Sequence, residues 1–488
     1  MSTPPVVVLG AGPAGLAAAR ELNRVGMPVR TLERAGQAGG LCRTVEHHGY
    51  RFDIGGHRFF TKFPRVQKLW TEVLGQDLLT RPRLSRILYG GNLYDYPLQG
   101  RDALSKLGLA EASRCMASYG RARLRSHEQE DSFEQWVSNR FGDRLFEIFF
   151  RTYTEKVWGI PCSQISADWA SQRIKNLSLG LAVRSALVGQ PSQGEVPSLI
   201  EEFLYPRRGP GMMYDAMTEQ LQQAGSPVEL NTTVTRVLRD GNRVTAVEVR
   251  GPDGESSLVE GSFFLSSIPL TVLVQSFDPP PPPQVLEAVR SLSFRHLISV
   301  NLILEGTNLF PDNWVYVHAP ELQVARIQNY GNWSPEMVPE PGRSAIGLEY
   351  FASDTDPLWS ASDTQLLELG HRELASTGLA PVRQAHPGLV VRAPRAYPVY
   401  RRGYEQPLAT LTSWLQRFEN LQPMGRYGMF KYNNSDHSIL TALLSVDNLQ
   451  GAEHDIWSVN TDSDYLESFD ERALSRRTGR DPENLELR

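Results

Sequence analysis

The residues best suited to chemistry stand near the start of the chain. Gly10, Gly12 and Gly15 form G-x-G-x-x-G directly after the apolar run Val6–Leu9, and residues 14–25 carry apolar side chains at helical spacing. A tight turn into a helix N-terminus offers backbone N–H groups and a positive dipole end, which suit a pyrophosphate. Gly10 permits the turn, Gly12 lets a phosphate approach the backbone, and Gly15 lets helix and strand pack closely. A second strand over residues 28–32 ends at Glu33, eighteen residues after Gly15. There a carboxylate can accept hydrogen bonds from ribose hydroxyls. Together these features predict a dinucleotide site.

Larger elements must hold that site. A chain of 488 residues is too long for one ordinary core, so two domains are expected. Strand and helix patterns alternate to about residue 75, and residues 100–190 read as mostly helical. Asp240-Gly241-Asn242 and Asp253-Gly254 mark hairpins in a following β segment. FFLSSIPLTVL reads as a buried strand ending at Pro269, and the prolines at 279–283 read as a stiff connector outside helix and sheet. LISVNLIL and SAIGLEYF suggest an antiparallel sheet, and a turn and helix follow from about 421. The expected fold is α/β: a Rossmann-type domain over 1–75, 205–278 and 421–488. A substrate domain over 76–204 (helical part) and 279–420 (antiparallel sheet) is inserted into it.

Composition narrows the function class. A net charge of −5 gives no global attraction to nucleic acid. Six lysines among 50 basic residues leave a strong arginine bias, read mainly as background composition. Cys42, Cys115 and Cys162 have neither disulfide nor metal-site spacing, so no metal is expected and a reducing cytoplasm fits. No stretch has the length of a transmembrane segment. No second G-x-G-x-x-G follows a strand, so a redox cofactor at the first site must be reduced by substrate or by a visiting donor such as NAD(P)H. A homodimer is compatible with the sequence.

Gly39-Gly40 and Arg43, following the acid after a short loop, resemble the FAD superfamily of amine oxidases, protoporphyrinogen oxidase, phytoene desaturases and UDP-galactopyranose mutase. FAD is the cofactor this implies, with the glycine pair and arginine near the flavin. Three segments resemble the mutase more closely. Gly55-Gly56-His57-Arg58-Phe59-Phe60-Thr61 is similar to its G-P-H-I-F-H-T, which implies that His57 sits against the flavin as a catalytic residue; Gly56 and Phe60 depart from the pattern. Tyr153-Thr154-Glu155-Lys156-Val157-Trp158-Gly159 is similar to Y-T-x-K-Q-W, and Arg173 follows. In the mutase this region lines the nucleotide-sugar pocket, which implies substrate roles for Tyr153, Trp158 and Arg173. Residues 425–436 resemble G-R-x-x-x-Y-K-Y-x-D-M-D. That match implies that Arg426 touches the flavin and that Tyr432 holds the substrate diphosphate, while Asn434 replaces an aspartate. Arg326, in VARIQNY, resembles a further diphosphate-binding arginine. The resemblance also implies cofactor contacts at Pro13, Ala14, Arg34, Leu41, Gly56, Val234, Gly425, Asn434 and Ser435. Arg401 and Arg402 read as solvated surface cations.

The resemblance implies a redox-neutral mutase that interconverts pyranose and furanose forms of a nucleotide-linked sugar. Reduced-flavin N5 attacks the anomeric carbon, and His57, Arg173, Arg326 and Tyr432 do the protein's share. The alternative is an FAD-dependent oxidase or desaturase of the amine oxidase and protoporphyrinogen oxidase type, which would need an apolar tunnel and no diphosphate clamp. A third reading is a flavin-binding scaffold without turnover; His57 and Arg426 weigh against it.

Overall fold

Val6–Leu9 forms strand β1, with all four side chains buried. Helix α1 (Pro13–Arg24) returns the chain to β2 (Val29–Leu32), parallel to β1. Phe263–Ser266 flanks β1 on the other side, and Val228–Glu229 and Leu421–Pro423 complete a five-stranded parallel sheet. Uninterrupted apolar runs such as VVVL suit strands covered on both faces. The computed structural model describes residues 4–96, 98, 100–124, 130–169, 198, 199, 202–460, 468 and 469.

Thr233–Asp240 and Arg243–Arg250 pair antiparallel around Gly241, whose φ of +55° suits the predicted turn. Ser256–Glu260 adds to them after the second hairpin. A seven-stranded sheet carries the other half of the cavity described below. Its chain-ordered strands include β3 (Phe294–Glu305), β4 (Trp314–Val317), β5 (Arg326–Asn329), β6 (Arg343–Ala352) and β7 (Gln384–Pro398). Spatially they run β7-β3-β6-β5-β4, followed by Ser85–Tyr89 and Asn92–Asp95. Only the pairing of β4 with Ser85–Tyr89 is parallel within this sheet. Both faces are covered. Leu366, Leu369 and Leu374 of helix Asp363–Thr377 join a core with Ile298, Val300 and Leu348. Leu297 and Phe351 join a second core with residues from Phe133 to Trp158.

Three expectations shift. Pro283 is not connector but the first residue of helix Pro283–Ser291, a position where a missing N–H costs nothing. The strand begun at Phe263 stops at Ser266, three residues before Pro269. Helix α2 (Ser435–Leu449), the helix expected after residue 421, packs on α1. The stretch assigned to the helical part also supplies two strands, Ser85–Tyr89 and Asn92–Asp95, to the large sheet. Among the described residues no helix is long and apolar enough to cross a membrane.

Candidate active site

A cavity of about 780 Å³ is lined at one end by Gly10, Gly12, Pro13 and Ala14. Gly10 turns the chain at φ +95°, and a Cβ there would sit 2.6 Å from Ser267 Oγ. A Cβ on Gly15 would lie 1.8 Å from the Gly10 carbonyl oxygen, so only glycine lets α1 leave β1 this closely. A Cβ on Gly12 would meet nothing nearer than Gly40 Cα at 3.9 Å, so the space beside this backbone is open. Glu33 accepts from the Ala11 N–H through Oε2 and from the Ala35 N–H through Oε1, both at 2.8 Å. Each oxygen keeps a second lone pair for a ribose hydroxyl. Open backbone, a helix N-terminus and an oriented carboxylate fit a dinucleotide. Arg34, Gly40, Leu41, Arg43, Val234, Asn434 and Ser435 line the same cavity. Gly15, Gly39 and Gly425 do not line it; they shape its walls. Gly39 (φ +99°) turns the loop, and a Cβ on Gly425 (φ +77°) would meet Ala14 Cβ at 2.8 Å.

Gly56 and His57 also line the cavity. His57 Nδ1 lies 2.9 Å from the Gly55 carbonyl oxygen. A carbonyl only accepts, so Nδ1 carries the proton and Nε2 is an acceptor. Burial, with Arg426 and Arg326 nearby, pushes the imidazole down to about 4 against the stabilising Gly55 bond, so it is neutral near pH 7. Arg426 is held by carbonyls: Nε and Nη2 donate to Ala396 O at 3.1 and 3.0 Å, and Nη1 to Asn433 O at 3.1 Å. Its guanidinium lies 4.1 Å from the Tyr432 ring centre and 4.9 Å from that of Tyr397. The Asn434 N–H donates to His437 Nδ1 at 3.3 Å at the start of α2.

Beyond His57, β5 and β6 set Arg326 directly opposite Glu349. Arg326 Nη2 lies 2.5 Å from Glu349 Oε2 and 3.0 Å from the Tyr397 hydroxyl. Glu349 has 0% exposure and also accepts from Gln328 Nε2. Arg326 is therefore a paired cation. Sequence reading missed Glu349, although one acid inside the apolar run AIGLEYF is a usable signal.

Tyr153, Tyr397 and Tyr432 also line this end. Tyr153 stacks on His318, 5.0 Å between ring centres and 11° between planes. Burial pushes His318 down to about 3 with help from Lys156. Lys156, of the Tyr153–Gly159 motif, is structural: Nζ donates to the carbonyls of Val317, Ala319 and Val324 at 3.1, 2.7 and 3.3 Å. Trp158 departs from its expected substrate role. It is buried to 2% and outside the cavity lining, packed against Tyr397, Tyr400, Tyr432 and Trp169. Its helix turns it into the core, so it backs the tyrosines instead of facing a ligand. Arg173 lies outside the described residues. Arg401 and Arg402 bond Gln164 and Asp131 at exposed positions, as expected of surface cations. Among the described residues no acid, histidine and cysteine cluster could hold a metal ion.

Residues 13–417 match the family of flavin containing amine oxidoreductases. The chain belongs to that family. Its cofactor is FAD. It is 29% identical over 297 residues to the flavin-containing monoamine oxidase AofH of Mycobacterium tuberculosis, a match covering 57% of this chain and 60% of that protein. A chloroplastic protoporphyrinogen oxidase of Nicotiana tabacum is 24% identical over 441 residues, 83% of this chain and 78% of the relative. In fold, the chain is similar to a reduced UDP-galactopyranose mutase at TM-score 0.82 and 22% identity, covering 96% of this chain and 98% of that one.

Proposed function

We propose that this flavoenzyme is a mutase that isomerises a nucleotide-linked sugar between ring forms. The observation that carries the reading is a polar cluster in the cavity wall: Arg326 and Arg426 stand there with the phenols of Tyr153, Tyr397 and Tyr432. An anionic substrate suits such a wall better than a cationic amine. FAD, held by the Gly10–Ala14 turn, Glu33, Arg43 and Arg426, supplies in its reduced form the nucleophile for an anomeric carbon. The chain's own work is to bind and orient. Tyr432, Arg326 and Arg173 are assigned to the diphosphate, and Tyr153 to the face of the nucleotide or sugar. Neutral His57 donates to Gly55 and presents an acceptor lone pair into the site, so it can tune the cofactor without adding charge. The cofactor segments 1–75, 205–278 and 421–488 and the substrate segments 76–204 and 279–420 fit this division of labour.

Kinship with AofH and the tobacco oxidase favours a second reading, an FAD-dependent oxidase. One experiment separates the two. The holoenzyme is incubated with a panel of nucleotide sugars, with and without dithionite, and the products are chromatographed. Isomerisation only under reduction is expected. Oxygen consumption stoichiometric with an amine or porphyrinogen, and no isomerised sugar, would sink the mutase.

A further inference from the structure

The cavity wall contains a strained arginine that the sequence motifs do not single out. Arg395 lines the cavity, two residues before Tyr397, and its backbone adopts φ +57°. Residues with a Cβ seldom take that conformation unless the surroundings impose it, and functional sites are where it persists. Here the imposing device is visible. β3 pairs Arg295 with Tyr397 and Leu297 with Ala393, so one β3 residue, His296, faces three on β7: Pro394, Arg395 and Ala396. Such a bulge re-aims side chains next to sites. The side chain of His296 stitches it. The Arg395 N–H donates to His296 Nδ1 at 2.8 Å, and His296 Nε2 lies 2.9 Å from Asp354 Oδ1. Nδ1 accepts, so the ring proton is on Nε2 and donates to the carboxylate. His296 is 3% exposed and packs its ring 4.2 Å from that of Trp359.

The consequence is electrostatic. Arg326 is matched by Glu349, and Arg392, also in the wall, by Asp363. Arg395 is solvent-exposed at the cavity wall, and among the described residues its side chain has neither an ion pair nor a hydrogen bond, so its guanidinium is held by water alone and is available to a ligand. We propose that Arg395 is a further cation that receives the anionic group of the substrate beside Arg326, and that His296 and Asp354 are positioning residues that hold its bulge. The same bulge presents the Ala396 carbonyl to Arg426, so one device sets both guanidinium groups. The inference rests on the nucleotide-sugar reading and names a further group that recognises the diphosphate.

The test is calorimetric titration of the oxidised holoenzyme with UDP. Arg395→Gly is the sharp variant, because glycine takes a positive φ without strain while removing the guanidinium with the rest of the side chain. It should keep its flavin and melting temperature while binding UDP at least about tenfold more weakly, with a shallower salt dependence. Arg395→Lys should recover part of the affinity, and Arg395→Gln should resemble the glycine variant. His296→Leu should weaken UDP similarly, and His296→Asn, whose side-chain oxygen can replace Nδ1 as acceptor, should rescue it. Wild-type affinity in Arg395→Gly and Arg395→Gln overturns the proposal, as does loss of flavin with unchanged UDP affinity. If the wild type binds no UDP, the nucleotide-sugar reading fails and this one with it.

Discussion

A buried charge pair decides what each member can do. Glu349 neutralises Arg326 inside the cavity wall and orients it toward the Tyr397 hydroxyl. Removing the acid strands a buried cation, which generally costs more than the pair contributes. Glu349→Gln should therefore destabilise the fold by about 3–5 kcal/mol, measured by urea denaturation of the holoenzyme. A loss below about 1 kcal/mol would mean that water already screens the pair. His57 was legible at this scale as a residue of the cavity wall, because a short local motif marks it. Glu349 was not, because its importance comes from a partner on the adjacent strand. Trp158 shows the converse: the motif named the residue, but helix rotation turned it into the core.

Elements carry the cofactor end. β1, α1 and β2 place backbone donors and Glu33 within one continuous stretch of chain, and α2 packs against α1. Gly15→Ala would drive a Cβ into the Gly10 carbonyl with backbone on both sides, so neither can yield. Overpacking of this kind costs about 1–3 kcal/mol or more, and the variant should lose bound FAD, read from its visible absorbance after gel filtration. Full flavin occupancy would show that the turn can relax. At the other end, Lys156 anchors helix Thr152–Trp158 to three carbonyls at and beyond the end of β4. Lys156→Met removes the donor those carbonyls share, and unsatisfied buried polar groups cost about 1–3 kcal/mol. Thermal melting should show that loss, accompanied by weaker substrate binding as Tyr153 and His318 separate.

At the scale of the whole molecule, buried titrating groups link stability to pH with opposing signs. His57 and His318 are pushed down to about 4 and about 3, below the ordinary histidine value of 6.5. The unfolded chain therefore binds protons first as pH falls below that value, and each histidine removes stability at about 1.4 kcal/mol per pH unit. Asp53 opposes them. Burial raises it to about 7 from 3.8, against the hydrogen bonds from Tyr205 and Thr44 that pull it down, so its ionisation penalty is relieved as pH falls through that window. The His318 contribution is isolated by difference: between pH 7 and pH 5 the wild type should lose about 2 kcal/mol relative to His318→Gln. Parallel denaturation curves would show that His318 is already solvated. The sequence by itself determined the FAD cradle and the class of fold. That chemistry is written in backbone turns, a helix N-terminus and an eighteen-residue spacing, all local to the chain. Only the tertiary structure decided which cavity arginines are paired with an acid. The pairing of Arg326 with Glu349, and the three-residue bulge that sets Arg395 opposite His296, come from strand registers between segments far apart in the chain. No local pattern encodes such a register; it emerges when the sheet closes around its core.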